Sequence, residues 1–353
     1  MSFSFTYRGT AAQIVFGNGV RSQVGEWIDT LGCRRAMILS TPQQEASALA
    51  IAATLGAKSA RVFARATMHT PVEVTVVALE AATAARADCV VAVGGGSTTG
   101  LGKAIALRTD LPQIVVPTTY AGSEVTDILG QTEGGKKTTL RDEKVRPEVV
   151  LYDPELTLGL PVSLSVTSAL NAMAHSAEGL YAADRNPITT LMAVEGLRAM
   201  RDALPRIVKD TGDVDARSGA LYGAWLCGTV LGSVAMALHH KLCHTLGGSF
   251  DLPHAETHAV LLPHTVGFNA QAVPDLLAPV AATFGGEPGP ALQDFARTIG
   301  APLALRDIGM KESDLDRAAA LAVANPYPNP RPFDEASIRQ LLQAAWAGER
   351  PQT

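Results

Sequence analysis

Five of the chain's eight histidines fall within residues 235–258, AMALHHKLCHTLGGSFDLPHAETH. Imidazoles gathered this densely can share a divalent metal, or work unaided as proton donors and carbonyl-polarising groups near neutral pH. Spacing narrows the set. His240 and His244 stand four apart, as do Asn171 and His175 in SALNAMAHSAEG, so each pair lies on one helix face. The stretch LGGSFDLPHAETH reads as a turn carrying His254 and His258, and His264 follows in LLPHTVGF. Taken singly, His69, His239 and His264 read as core or helix-end residues. Three separate segments that each set polar rings on apolar helices read differently: His175, His240, His244 and His254, with Asn171, form one expected catalytic site.

A second chemistry-bearing stretch is CVVAVGGGSTTGLGKAIAL, where a buried strand runs into three glycines. Gly94, Gly95 and Gly96 allow a ligand to approach the backbone closely. Ser97 is expected to cap the next helix, whose free N–H groups and dipole suit a phosphate. The pattern is not GxGxxG. A further turn after QIVVP carries Thr118, Thr119, Gly122 and Ser123 at the same carboxyl edge, where ligands of open α/β sheets bind. Two such turns point to a dinucleotide.

The elements that must position these groups fall into two grammars. Up to about residue 155, strands at 35–40, 59–64, 88–97 and 112–119 alternate with helices at 43–56 and 71–87. This rhythm predicts right-handed βαβ units and a parallel, Rossmann-like sheet. Residues 156–353 are rich in Ala and Leu at helical spacing, over 163–183, 187–208 and 216–246 among others, and predict an all-α domain. A ligand cleft is expected between the two domains, 1–155 and 156–353. At the N-terminus, Phe3, Phe5 and Tyr7 alternate with polar residues, and AQIVFG follows across Gly9. That predicts an edge hairpin able to pair with a second subunit.

Composition excludes several classes. The 353 residues carry a net charge of −5 with no basic run, and aromatics are 5%, which argues against nucleic acid. Hydrophobic residues at 47% suit a large buried core. The four scattered cysteines read as reduced residues of a cytoplasmic protein. No secretory signal and no membrane span is expected.

The ordered motifs GGGS (94–97), PTTYAGSEVT (117–126), LYDPELTLGLP (151–161), SALNAMAHSAEGLYA (168–182) and HHKLCHTLGGSFDLPHAETHAVLLPH (239–264) resemble the iron-containing alcohol dehydrogenases. That family belongs to the superfamily of glycerol dehydrogenase and dehydroquinate synthase. Tyr120 in the Thr-Thr turn, the Asn171–His175 pair and His-Lys-Leu-Cys-His (240–244) are most similar to its maleylacetate reductases. The resemblance implies NADH- or NADPH-dependent reduction of the conjugated C=C of maleylacetate (4-oxohex-2-enedioate) to 3-oxoadipate, in bacterial breakdown of aromatic and chloroaromatic compounds. It also implies a homodimer, with the glycine turn at the pyrophosphate and Thr118 and Thr119 along the cofactor towards the nicotinamide. Hydride would add at the carbon β to the ketone, the histidines would stabilise the enolate oxygen, and a histidine or water would protonate the α-carbon. Lys241, Lys136, Lys137, Arg146 and Arg331 are the residues considered for the two carboxylates.

Two departures from the family pattern carry expectations. Metal-binding relatives have aspartate at the position of Asn171, before histidines matching His175, His240 and His254. With that anion gone, a site without metal is expected, and those three histidines would be the ligands were a metal bound. Ser40-Thr41-Pro42 lacks the acidic residue that repels a 2′-phosphate, so both NADH and NADPH should serve. Two other enzyme readings remain: a metal-dependent alcohol or polyol dehydrogenase, and a lyase using NAD transiently. A non-catalytic nucleotide-binding regulator would need a basic reading helix, and none stands out.

Overall fold

The structure, a computed structural model, describes residues 5–7, 9, 12–325 and 327–352. They divide into two compact units, one of residues 9–160 and one of residues 161–352 together with 5–7.

The first unit alternates strand and helix: β1 (Gln13–Phe16), α1 (Val24–Thr30), β2 (Ala36–Leu39), α2 (Glu45–Leu55), β3 (Ser59–Phe63), α3 (Val72–Ala85), β4 (Cys89–Gly94), α4 (Gly96–Thr109) and β5 (Gln113–Pro117). A hairpin, β6 (Ile128–Glu133) and β7 (Lys136–Arg141), precedes β8 (Val149–Tyr152). Six strands form a parallel sheet in the order β1-β8-β5-β4-β2-β3. Side chains alternate across it: Ile38 packs with Val24, Ile28 and Ile51 on one face, Met37 and Leu39 with Ala78, Leu101 and Ile105 on the other. Both faces are covered, which is why the central strands read as unbroken apolar runs.

Three expectations change here. Of the N-terminal hairpin, Phe3 lies outside the described residues, Phe5 and Tyr7 belong to no strand, and Gln13–Phe16 pairs in parallel with β8. The β6–β7 hairpin, which turns on Gly134 and Gly135 at positive φ, was not expected. Ser97 does not cap α4: the N-cap is Gly95, with no side-chain cap bond, and Ser97 is already helical because the strand ends at Gly94.

Every regular element described in the second unit is a helix: α5 (Val162–Tyr181), α6 (Pro187–Lys209), α7 (Val214–Ser233), α8 (Leu238–Phe250), α9 (His254–Ala270), α10 (Pro274–Phe284), α11 (Pro288–Thr298), α12 (Leu315–Val323) and α13 (Glu335–Ala347). The expected single helix over 216–246 is broken into α7 and α8, bent by 95°. The expected turn over 246–258 is also different, because α8 continues through Gly247 and Gly248 to Phe250 and α9 starts at His254. Hence His240 and His244 begin a helix rather than end one, and His254 and His258 share a helix face. No single described helix is long and apolar enough to cross a membrane.

One helix crossing depends on glycine. A Cβ at Gly289 would lie 2.8 Å from both Gly267 Cα and Pro263 O, so α11 sits directly on the α9 backbone. Gly289→Ala is expected to cost about 1–3 kcal/mol through overpacking. Calorimetry should show a thermal midpoint several degrees lower, while Gly248→Ala, whose methyl meets nothing within 4 Å, should not lower it.

Candidate active site

Helix α5 lays Asn171, His175 and Glu178 along one buried stripe. Glu178 is the anchor. Its Oε1 accepts from the backbone N–H of Ala237 (3.2 Å) and His239 (2.8 Å), and its Oε2 from His240 N (3.3 Å) and His240 Nδ1 (2.5 Å). Burial opposes ionisation, but the His240 and His239 contacts outweigh it and hold the Glu178 carboxyl below its usual range.

Around it the imidazoles form one patch. Ring centroids are 5.1 Å apart for His175–His240, 5.0 Å for His240–His258, 4.4 Å for His254–His258, 6.2 Å for His240–His244 and 6.5 Å for His244–His254. The rings run from exposed His244 through half-buried His254 to buried His258, His240 and His175. Burial first, then neighbouring imidazoles, pushes His175 and His258 well below the ordinary histidine range, so both are neutral at pH 7. Among the buried polar atoms with no hydrogen-bond partner within the described residues are Asn171 Oδ1, His175 Nδ1 and His240 Nε2.

His239 and His258 were not expected here. His239 is not an isolated core residue: its Nδ1 meets Thr265 Oγ1 at 3.0 Å and its Nε2 meets His258 Nδ1 at 2.9 Å. The Thr265 hydroxyl donates back to Leu261 O at 3.0 Å, so it accepts from His239 Nδ1–H. His239 Nε2 then accepts from His258 Nδ1–H, which leaves His258 Nε2 as a buried, unpartnered lone pair. His264, by contrast, is a buried residue of α9, pushed down to about 4 by burial.

The donor set lacks the anionic ligand that a hard divalent cation favours, although three neutral imidazoles are a set that zinc accepts. Asn171, His175, His240 and His254 bring no negative charge, and both oxygens of Glu178 are already engaged. Two other groups have metal-like proximity among the described residues. In His239–Cys243–His258 the two facing nitrogens bond to each other, and in Cys33–Asp88–Cys89 the carboxylate is held by the amides of Arg34 and Arg35.

In the α/β unit the glycine and threonine turns abut. Thr118 N donates to Gly94 O at 3.1 Å, and a Cβ on Gly95 would come within 2.8 Å of Thr119 Cγ2. A Cβ on Gly96 would meet only Ser123 Oγ, at 4.0 Å. Gly94 and Gly95 are therefore glycines because protein side chains crowd them, and Gly96 is the one with room for a ligand. With Gly95 as N-cap, the amides of Gly96 and Ser97 begin α4 with no carbonyl four residues back to bond. Gly94, Gly95, Gly96, Ser97, Thr118, Thr119 and Ser123 thus gather at one edge of the sheet.

Beneath that edge lies Lys103, fully buried and overlooked in the sequence. Its ammonium donates to Ser123 O (2.7 Å), Thr126 O (2.8 Å), Thr126 Oγ1 (2.9 Å) and Ile128 O (2.9 Å), clamping the loop that follows β5. Burial, partly offset by Glu124, pushes it down to about 7.

Two models of one family match the chain: "Iron-containing alcohol dehydrogenase" over residues 11–154 and "Fe-containing alcohol dehydrogenase family, C-terminal" over 165–346. The chain is 64% identical over 348 residues, 99% of each protein, to a maleylacetate reductase of Rhizobium sp. (strain MTP-10005). It is 53% identical, again over 99% of each, to one of Sphingobium indicum. The crystal structure of maleylacetate reductase from Agrobacterium tumefaciens superposes with a TM-score of 0.97 at 63% identity, covering 99% of this chain and 100% of that one.

Lys103 supplies a pH test. The unfolded chain keeps this lysine protonated to about pH 10.4. The folded one releases the proton near 7, so between those values the unfolded state binds more protons and stability rises with pH. Wild type should gain on Lys103→Met by up to ~1.4 kcal/mol per pH unit between pH 7.5 and 9.5 in denaturant titrations. A flat or falling difference would contradict the burial of this amine.

Proposed function

Because the chain belongs to the iron-containing alcohol dehydrogenase family, we propose that it reduces the conjugated double bond of maleylacetate to 3-oxoadipate with NADH or NADPH. The observation that carries this reading is the imidazole patch backed by a buried carboxylate, in a chain similar to maleylacetate reductases along its length. Residues 1–155 bind the dinucleotide: the free amides of Gly96 and Ser97 take the pyrophosphate, and Thr118, Thr119 and Ser123 line the way to the nicotinamide. Residues 156–353 act on the substrate.

Hydride from the nicotinamide forms a C–H bond at the carbon β to the ketone, and the alkene electrons move onto the ketone oxygen. Donors from His175, His244 and His254 meet that oxygen, each worth about 10²–10³ in rate. His240, held by Glu178 at Nδ1, presents Nε2 to the substrate. Its Nε2–H bond breaks as the α-carbon is protonated and the ketone re-forms. The anion at Glu178 stabilises the charged ring that gives the proton. No step requires a metal, in keeping with a donor set that lacks an anion. The end of β2 at Ser40-Thr41-Pro42 has no carboxylate to repel a 2′-phosphate, so both cofactors are accepted. A homodimer in the cytoplasm completes the reading.

Maleylacetate should oxidise NADH and NADPH alike in chelator-treated enzyme containing less than one-tenth equivalent of metal. Turnover that needs added iron or zinc, or that occurs only with a simple ketone, would favour a metal-dependent alcohol dehydrogenase. Glu178→Gln, which keeps the shape but loses the charge, should lower kcat by about 10²-fold with KM little changed.

A further inference from the structure

A substrate with two carboxylates needs cationic or N–H partners, and the structure sorts the cations available. Arg146 is ion-paired with Glu143 (2.5 Å) and Asp127 (3.6 Å). Arg331 donates to Phe268 O at 3.1 Å and lies 4.0 Å from the centroid of the Phe268 ring. Lys136 and Lys137 belong to the β6–β7 hairpin, outside the helical unit.

Lys241 differs from all of these. It is three residues before His244 on α8, so helical geometry sets these two side chains on one face, next to the face that carries His240. It is half-buried, has no carboxylate partner among the described residues, and its ammonium lies 5.5 Å from the centroid of the Tyr327 ring. The Tyr327 hydroxyl is itself buried with no hydrogen-bond partner. Burial, then the charge of Glu178, holds it in the protonated form, so it can only donate usefully to an acceptor that the protein does not supply. Glu178 does not compete as that acceptor, since its oxygens are taken by three backbone amides and His240.

The position of Tyr327 is built rather than incidental. Asn329 and Asn269 exchange two hydrogen bonds, of 3.1 and 2.7 Å, and Arg331 reaches Phe268 O, so the segment carrying Tyr327 is tied to α9. Phe333 packs on the Tyr327 ring with centroids 5.0 Å apart.

We propose that Lys241 and Tyr327 form the seat of one substrate carboxylate, the ammonium supplying charge and the phenol a hydrogen bond. This rests on the dicarboxylate reading above and names the residues that would select it. A carboxylate there accounts at once for a cation with no anionic partner among the described residues and for a buried donor with no acceptor. A carboxylate bridging them satisfies the phenol and neutralises the amine, while an uncharged group in that place would leave the ammonium unpaired. The seat thus discriminates by charge as well as by shape.

The test uses Lys241→Met, Lys241→Arg and Tyr327→Phe with maleylacetate and two monocarboxylate analogues, 4-oxopent-2-enoate and 3-oxohex-4-enoate, each lacking a different carboxylate. Lys241→Met and Tyr327→Phe should raise KM for maleylacetate about 10- to 100-fold with kcat within a few-fold. Lys241→Arg should recover most of the loss. For the analogue that lacks the seated carboxylate, kcat/KM should be low and equal in wild type and variants, which also identifies the carboxylate. Equal losses with both analogues, or no change in KM, would overturn the seat. Calorimetric binding of 3-oxoadipate to the NAD-loaded enzyme separates the two readings. If the wild type binds this dicarboxylate through Lys241 yet does not reduce maleylacetate, the seat stands and the reaction does not. If the variants bind it as tightly as wild type, the seat falls whatever the reaction.

Discussion

The helical unit is organised around a carboxylate that water cannot reach. Glu178, on α5, receives the amides of Ala237, His239 and His240, which form the N-cap and first turn of α8. Helix starts leave such amides without partners, and here a residue 59–62 positions away takes them. The aligned dipole of α8 favours a negative charge at that end. A lone buried anion would be costly, whereas one holding three amides and an imidazole is compensated. With Asp184, which takes the amide of Ala235 inside the break between α7 and α8, this contact holds the start of α8 and aims His240.

From that anchor, rings of one residue type acquire different characters. His240 has its Nδ1 on an anion and its Nε2 open. His258 has its tautomer set by His239, itself oriented by Thr265. His175 is dry and neutral, and His244 is in water. Neighbours rather than spacing decide which ring can hold a proton, and this is how a set of identical groups can divide acid, donor and acceptor roles.

Much of this was legible in the sequence, and the failures share a cause. The βαβ rhythm, the buried strands and the two polar turns follow from period and composition, which are local. The grouping of Asn171, His175, His240, His244 and His254 followed from helical spacing. The break after Ser233 did not, because 216–246 contains no local stop signal and the residues that hold the break are Asp184 and Glu178. Ser97 was assigned a cap by residue type, although the strand ends one residue too early for it. Glu178 and Lys103 left one signal each: a charge set among small and apolar neighbours, in SAEGLY and in GLGKAIAL. Both lay inside motifs already explained by other residues, and so were passed over. Tyr327 left no signal, since its unpartnered hydroxyl is a property of the packed state alone.

Lys103 has a consequence for how the cofactor edge of the α/β unit moves. Its ammonium is met by three carbonyls and a hydroxyl drawn from Ser123, Thr126 and Ile128. Its three N–H groups are shared among these four acceptors, so the loss of one can be absorbed, whereas the loss of a second strands a buried donor without admitting water, and the remaining contacts then follow easily. The loop therefore opens as a block, and its amides should share one hydrogen-exchange rate instead of a gradient from tip to base.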